Sequence, residues 1–467
     1  MPPRPPRKRK TTPREEPLLH ETVIESFDDE GVGFARFEGK ELRIPGAFPG
    51  ERVSFSVEYR GQRRMGGRLQ KILERSPDRI KPPCHQERAC LGCPLIAMNY
   101  AAQLRVKRAT VVQTLRSHAM LKGVEVYEPL AAQHPFGYRT HAKLVLSKVH
   151  GKVKIGIYRR GSHEVVDLND CPLHHPLINR IIKVVREEIE HQKLWVYDAR
   201  KKKGLLRYLL VRISPANNQA LVTFVTAERN YREITHLAKW LTKKVPEVVS
   251  VQQNINASDG NVMLGRETLK MLGHATLRDR VGDTRLAISP ASFFQVNHEQ
   301  AEQIYGLVRK WANLAPYNHA LDLYCGIGGI ALGLARDAAK VVGVEVVEDA
   351  VRNARDNARL NKLENCRFLA GDTTELLDDL VGEFPPDQVV TVNPPRKGVD
   401  KEALEAIVAF RPRTIIYVSC NPETLARDLA ILQTLGYTTE CVQPVDMFPQ
   451  TPHIESVARL VPSEPLA

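Results

Sequence analysis

Hydrophobic positions follow three successive patterns along the chain. From residue 17 to 75 they alternate with polar ones at the strand period, in ETVIESF, GVGFARFEGKELRIPG, ERVSFSVEYR and GGRLQKIL. Gly, Asp and Pro punctuate these runs. Five short strands over this stretch predict a small β-barrel of the OB type. Residues 76–290 mix both periods, with a helix over about 95–121 and others at about 175–192 and 229–244. Strand-like runs between them are HAKLVLSKV, KVKIGIYRR, LLRYLLVRIS and ALVTFVTA. From about 298 to 461 strand and helix alternate regularly. The strands ALDLYC, VVGVEV, CRFLAG, QVVTVNPP and TIIYVSC are those of a parallel, doubly wound sheet. The expected fold class is α/β and β, in four stretches: a tail at 1–16, a barrel at 17–75, a central α+β domain at 76–290 and a Rossmann-like domain at 291–467.

Composition narrows the setting. The 467 residues carry a net charge of +13. That excess favours a polyanionic partner, nucleic acid first, over a basic soluble enzyme with none. No apolar run is long enough for a transmembrane helix, and no apolar core follows the basic N-terminal residues. No membrane association and a cytoplasmic location are expected, with the eight cysteines as thiols, ligands or catalysts rather than disulfides. MPPRPPRKRKTTPREE reads as a disordered basic arm that follows phosphates or is simply solvated. In the barrel Phe34, Phe37, Phe55, Tyr59, Arg60, Arg63 and Arg64 are candidates for base stacking and phosphate contact, with a core role the alternative for the aromatics.

A nucleoside site is expected where ALDLYC runs into Gly326-Ile327-Gly328-Gly329 and a helix. Glu345 ends the next strand at the spacing of an acid that holds ribose hydroxyls. NAD and S-adenosylmethionine both fit that geometry. The turn reads DLYCGIGG rather than GxGxxG, and Asp322 ahead of it suits the cationic amino-acid end of S-adenosylmethionine. Asp372 ends the third strand, placed to accept the adenine amine or to cap the following helix. Asn393-Pro394-Pro395 resembles the strand end of amino-group methyltransferases, but Arg396 stands where their stacking aromatic would be, which argues against adenine-N6 chemistry.

The fifth strand ends at Cys420, where a thiol facing the crevice is a nucleophile or a buried structural group. Uracil carbon 5 is a poor nucleophile. Thiolate addition to carbon 6 activates it, and a base must then take the carbon-5 proton. Glu455 is the candidate base and His453 its rival. Elsewhere Cys84-x5-Cys90-x2-Cys93 and a distant Cys171 offer four thiolates, two of them followed by Pro. Spacing favours a [4Fe–4S] cluster, with zinc or unliganded thiols the alternatives. Cys325, Cys366 and Cys441 read as ordinary buried thiols.

SCNPETLARDL around Cys420, MFPQTPHIE ending in Glu455, GIYRRGSHEVVDLNDCPL around Cys171 and SPASFFQVN at 289–297 together resemble the RNA uracil-C5 methyltransferases. The likeness is closest to the 23S ribosomal RNA group that carries an N-terminal TRAM domain and an iron-sulfur cluster, and runs from about residue 17 to 461. It implies cofactor contacts from Gln295, Tyr324, Gly329, Glu345, Asp372 and Asn393, Cys420 as nucleophile, Glu455 as base, and a structural [4Fe–4S] cluster on Cys84, Cys90, Cys93 and Cys171. Asn393 departs from the Asp of many members, and Gly329 from a polar side chain in some. The implied reaction makes 5-methyluridine in 23S rRNA from S-adenosylmethionine, by a monomer with no obligate protein partner. The alternatives are the T-loop uridine of tRNA and a non-catalytic RNA-binding assembly factor.

Overall fold

The computed structural model describes residues 18–159, 161–258, 262–385 and 388–464. The basic arm expected at 1–16 lies outside them. The chain divides into one compact unit up to Lys81 and another from Pro82.

The first unit contains β1 (Leu19–Val23), β2 (Ser26–Phe27), β3 (Gly33–Phe37), β4 (Lys40–Ile44), β5 (Arg52–Arg60) and β6 (Arg64–Glu74). They form one sheet in the order β1-β5-β6-β4-β3-β2. The first apolar run yields two strands because the chain changes partner within it: Ile24 N donates to Glu51 O and Glu25 N to Phe34 O. The two edge strands are thus consecutive in the chain. Ile24, Ala35, Leu42, Ile44, Val53, Phe55 and Met65 fill the core. Phe55 is therefore core, and Phe37 packs edge-on to it with ring centroids 5.2 Å apart. Tyr59 is exposed, while Arg60 and Arg64 pair with Glu38 and Glu41.

The second unit opens with α1 (Glu87–Cys90) and α2 (Tyr100–Arg116). α2 is shorter than expected because the Asn99 side chain caps it, accepting from Ala102 N at 2.9 Å. After the short β7 (Glu125–Val126) comes a sheet of β8 (His141–Val149), β9 (Lys152–Tyr158), β10 (Val165–Asp167), β11 (Leu206–Ser214), β12 (Gln219–Thr226), β13 (Val248–Ile255) and β14 (Glu267–Gly273). Its order is β10-β9-β8-β11-β12-β13-β14. Helices α3 (Pro176–His191) and α4 (Tyr231–Lys244) cover one face, packing Ile181, Val185 and Leu237 on Leu209, Val211 and Phe224. A hairpin, β15 (Leu277–Val281) and β16 (Thr284–Ile288), leads to the last sheet.

That sheet alternates as expected: α5 (His298–Ala312), β17 (His319–Leu323), α6 (Gly329–Leu334), β18 (Lys340–Glu345), α7 (Glu348–Leu360), β19 (Cys366–Ala370), α8 (Thr373–Leu380), β20 (Val389–Val392), α9 (Lys401–Ala409), β21 (Thr414–Ser419), α10 (Pro422–Thr434), β22 (Tyr437–Val445) and β23 (Glu455–Pro462). The order is β19-β18-β17-β20-β21-β23-β22-β7, so β7 from the central region completes it. β17 to β21 run parallel, and β23 enters antiparallel between β21 and β22. The parallel strands are apolar along their length, with Leu321, Val342, Val390, Ile415 and Tyr417 buried, as a sheet covered on both faces requires. The chain leaves β17 toward β18 on one side and reaches β20 on the other. A crevice therefore opens at the carboxyl ends of β17 and β20.

Candidate functional site

The crevice is lined by the turn after β17. Tyr324, Gly326 and Gly328 all have positive φ, of 59°, 55° and 87°. For a tyrosine that conformation costs about 1–3 kcal/mol and must be imposed by its surroundings. Glu345 imposes part of it: its Oε2 accepts from Gly326 N at 3.0 Å and its Oε1 from Val347 N at 2.8 Å. The Tyr324 phenol meets Thr373 beside Asp372. Asp372 Oδ1 accepts from Thr374 N at 2.9 Å, so it caps α8 at the crevice rim. Asn393 is fixed through its backbone, donating to Leu323 O at 3.2 Å. A Cβ at Gly329 would lie 2.5 Å from the Tyr305 hydroxyl, so only backbone is available at that position.

Asp322 departs from its expected role. It is fully buried, with Oδ2 accepting from Ala331 N at 2.9 Å and Oδ1 from Thr391 Oγ1 at 2.7 Å. Burial pushes it up to about 7. It ties β17 to α6 and β20 instead of offering a carboxylate to the crevice.

Gln295 is buried in the segment that enters α5. Three asparagines one helical turn apart, two on α7 and one at its C-cap, hold the approach to it. Asn353, Asn357 and Asn361 accept from Ser289 N, Ala287 N and Arg285 N, and Asn357 also donates to Ile327 O in the turn. On the far side Thr140 N donates to Val296 O at 2.9 Å.

Cys420 and Glu455 come together through strand register. β21 and β23 are antiparallel with Ser419 opposite Ser456. Cys420 directly follows Ser419 and Glu455 directly precedes Ser456, and the Glu455 charge acts on the Cys420 thiol. Glu455 is buried, and burial pushes it up to about 8 against the pull of Arg396. The Cys420 thiol is raised by burial and then by Glu455, and lowered by the charge and hydrogen bond of the Arg396 guanidinium. In the sequence Arg396 stands out only as the absence of an aromatic. Its loop is anchored by α10: Asn421 Nδ2 and Thr424 Oγ1 both donate to Arg396 O at 3.2 Å, and Asp428 Oδ2 accepts from Val399 N at 2.8 Å. His453 points elsewhere, edge-on to Phe448 at 6.2 Å.

Two further clusters lie in the second unit. The thiols of Cys84, Cys90 and Cys171 each push Cys93 up electrostatically, after burial, so the four sulfurs share one locality. Backbone N–H groups face these sulfurs, from Gln86 to Cys84 at 3.4 Å, from Gly92 to Cys90, and from Leu173 and His174 to Cys171. Among the described residues no three His, Cys, Asp or Glu side chains close on a single-ion site. Cys325 and Cys441 are buried as expected, while Cys366 is half-buried.

The second cluster is cationic. His141 stands opposite Arg212 in the β8–β11 register, and Lys143 opposite Leu210. Burial and then Arg212 and Arg139 pull Lys143 down. Arg212 is buried, lowered by that burial to about 10, and its Nε has no hydrogen-bond partner. It donates through Nη2 to Ser292 O at 2.7 Å, next to Phe293, which is 76% exposed. Sequence periodicity showed only a strand here, because the partners lie on different segments.

Residues 99–461 match the family model described as tRNA (Uracil-5-)-methyltransferase. The chain belongs to that family. An uncharacterized RNA methyltransferase of Geobacter sulfurreducens is 47% identical over 448 residues, covering 96% of this chain and 90% of the relative. One from Halalkalibacterium halodurans is 37% identical, covering 94% of this chain and 96% of the relative. Among solved structures, the Pyrococcus abyssi tRNA (uracil-54, C5)-methyltransferase in complex with S-adenosyl-L-homocysteine superposes with a TM-score of 0.75 at 30% identity, over 94% of this chain and 99% of that one. Family membership gives the Cys420–Glu455 pair and the glycine turn a common setting, an enzyme that modifies RNA.

Proposed function

We propose that the chain transfers a methyl group from S-adenosylmethionine to carbon 5 of a uridine in 23S rRNA, through a covalent adduct with Cys420. The observation that carries this reading is the Cys420 thiol within the field of the buried Glu455 carboxyl, each directly beyond the paired ends of β21 and β23. Tyr324, Glu345, Asp372, Asn393, Gln295 and the backbone of Gly329 would hold the cofactor, which supplies an electrophilic methyl on its sulfonium.

The residues then divide the work. The uridine leaves its stack to reach the thiol. Arg396 favours the thiolate, whose sulfur bonds to carbon 6 and sends the electron pair toward the carbonyl oxygen. Carbon 5 would then attack the methyl carbon as its bond to the sulfonium breaks, the electron pair staying on sulfur and S-adenosylhomocysteine leaving. Glu455, as carboxylate, takes the carbon-5 proton. The C–H pair re-forms the double bond, the C–S bond breaks and the thiolate is released.

The exposed Arg139 and Lys143, with Phe293 held beside them through buried Arg212, support an RNA partner, as phosphate and stacking contacts. We take the six-stranded first unit as a TRAM barrel that adds RNA surface. The four cysteines suit a [4Fe–4S] cluster by their all-thiol donor set, with N–H groups turned to the sulfurs. Such a cluster would clip the 84–93 loop to the region of Cys171. Iron and sulfide content and visible absorption of anaerobically purified protein test it.

The same chemistry on a tRNA uridine is the second reading, favoured by the substrate named for the Pyrococcus abyssi structure. Intact-mass analysis after incubation with 5-fluorouridine-substituted 23S rRNA or tRNA separates the two. Fluorine cannot leave as a proton, so the true substrate accumulates on Cys420. An adduct with tRNA alone moves the target. An adduct that survives Cys420→Ala refutes the nucleophile, and an adduct with neither RNA leaves the RNA-binding factor.

A further inference from the structure

The residues joining β22 to β23, 446–454, carry the chain into Glu455, and they are held from outside the catalytic sheet. Asp446 Oδ1 receives Lys107 Nζ at 2.5 Å, with both side chains fully buried. Tyr100 Oη donates to Asp446 Oδ2 at 2.9 Å, and Lys107 Nζ also donates to Phe448 O at 3.0 Å. Gln103 and Gln450 are paired twice: Gln103 Nε2 donates to Gln450 Oε1 at 2.9 Å, and Gln103 Oε1 accepts from Gln450 N at 2.9 Å. Leu95 N donates to Gln450 O at 3.1 Å and Tyr138 Oη to Pro449 O at 3.0 Å. Gln450 itself has a φ of 71°, a conformation that its surroundings must enforce.

Cys420 is held by different means. Asn421 caps α10, accepting from Glu423 N at 3.1 Å, and Ser419 Oγ accepts from Asn421 N at 3.1 Å. Beyond the β21–β23 pairing that they share, the nucleophile and the base therefore rest on separate supports.

We propose that α2 and Tyr138 brace the 446–454 segment so that Glu455 meets the carbon-5 proton, making Gln103 and Tyr138 positioning residues for that one step. The inference rests on Glu455 being the base. Loosening the brace displaces the carboxylate while Cys420, Arg396 and the cofactor turn stay in place. Proton abstraction should then slow while adduct formation does not.

The test follows both steps in one experiment. The full chain, its Gln103→Met and Tyr138→Phe variants and Glu455→Gln are mixed with an unmodified 23S rRNA or tRNA transcript that the parent chain methylates, and with methyl-labelled S-adenosylmethionine. Quenched samples are run on denaturing gels. In both brace variants labelled protein–RNA adduct should form within about twofold of the parent rate and decay roughly tenfold more slowly, given the sensitivity of general-base catalysis to placement. Adduct should accumulate, and in Glu455→Gln it should accumulate without decay. Tyr138→Phe keeps the ring and removes one hydroxyl, so it serves if Gln103→Met fails to fold. Parent-like decay, or equal slowing of formation and decay, overturns the inference. If the parent chain methylates RNA but Glu455→Gln turns over normally, the base assignment fails and the brace with it.

Discussion

Replacing Glu455 by Gln should make the protein more stable and catalytically dead, with a pH signature that identifies the cause. Glu455 is 3% exposed, and burial raises its carboxyl from 4.5 to about 8. Below the unfolded-state value both states hold the proton and it has no effect on stability. As pH rises, the unfolded chain gives up a proton that the folded chain keeps, so folding is progressively penalised until the folded group ionises near 8. Beyond that the penalty is constant. At pH 7 it amounts to about 3 kcal/mol, taking roughly 1.4 kcal/mol per unit. Gln keeps the shape and never ionises. The gain in Glu455→Gln should be near zero below about pH 4.5 and approach about 3 kcal/mol at neutral pH. Urea unfolding of the two proteins in parallel across that range measures it. A gain that does not change with pH, or a loss of stability at pH 7, would refute the argument that this carboxyl is held protonated by burial.

Two further outcomes follow from the charges around the site. Arg396→Gln should push the Cys420 thiol further up and slow its alkylation near pH 8, whereas Glu455→Gln should bring it down and speed alkylation, because the two charges act on it in opposite directions. Lys143→Ala should weaken RNA binding with little dependence on sequence and reduce the salt slope by about one, while cofactor affinity measured by calorimetry is unchanged.

The fold was legible where apolar period and capping residues agree. β17 to β21 read directly as buried apolar runs, and α3 and α4 begin where His175 and Asn230 cap them. The bend at Ile24–Glu25 was not, because it arises from a change of pairing partner inside one continuous run. Nor was β7, whose two residues carry no period of their own and become a strand only by pairing with Cys441 and Val442. Both are tertiary decisions imposed on locally ambiguous sequence.

The site divides along the same line. Cys420, Glu345 and the glycine turn sit at strand ends, where local sequence reports position. The brace was written in the chain as an anomaly. Gln103, Lys107, Val111 and Leu115 are all buried in α2 and recur every fourth residue, so they form one stripe on the helix. Two polar groups extending an apolar stripe demand buried partners, since an uncompensated cation there would be strongly destabilising. What the stripe could not reveal was the partners themselves. Asp446 and Gln450 lie more than three hundred residues away, in a segment whose sequence points only to His453 and to the glutamate that follows it. A polar interruption of an apolar stripe announces a buried network. Only the fold shows that this one ends beside Glu455.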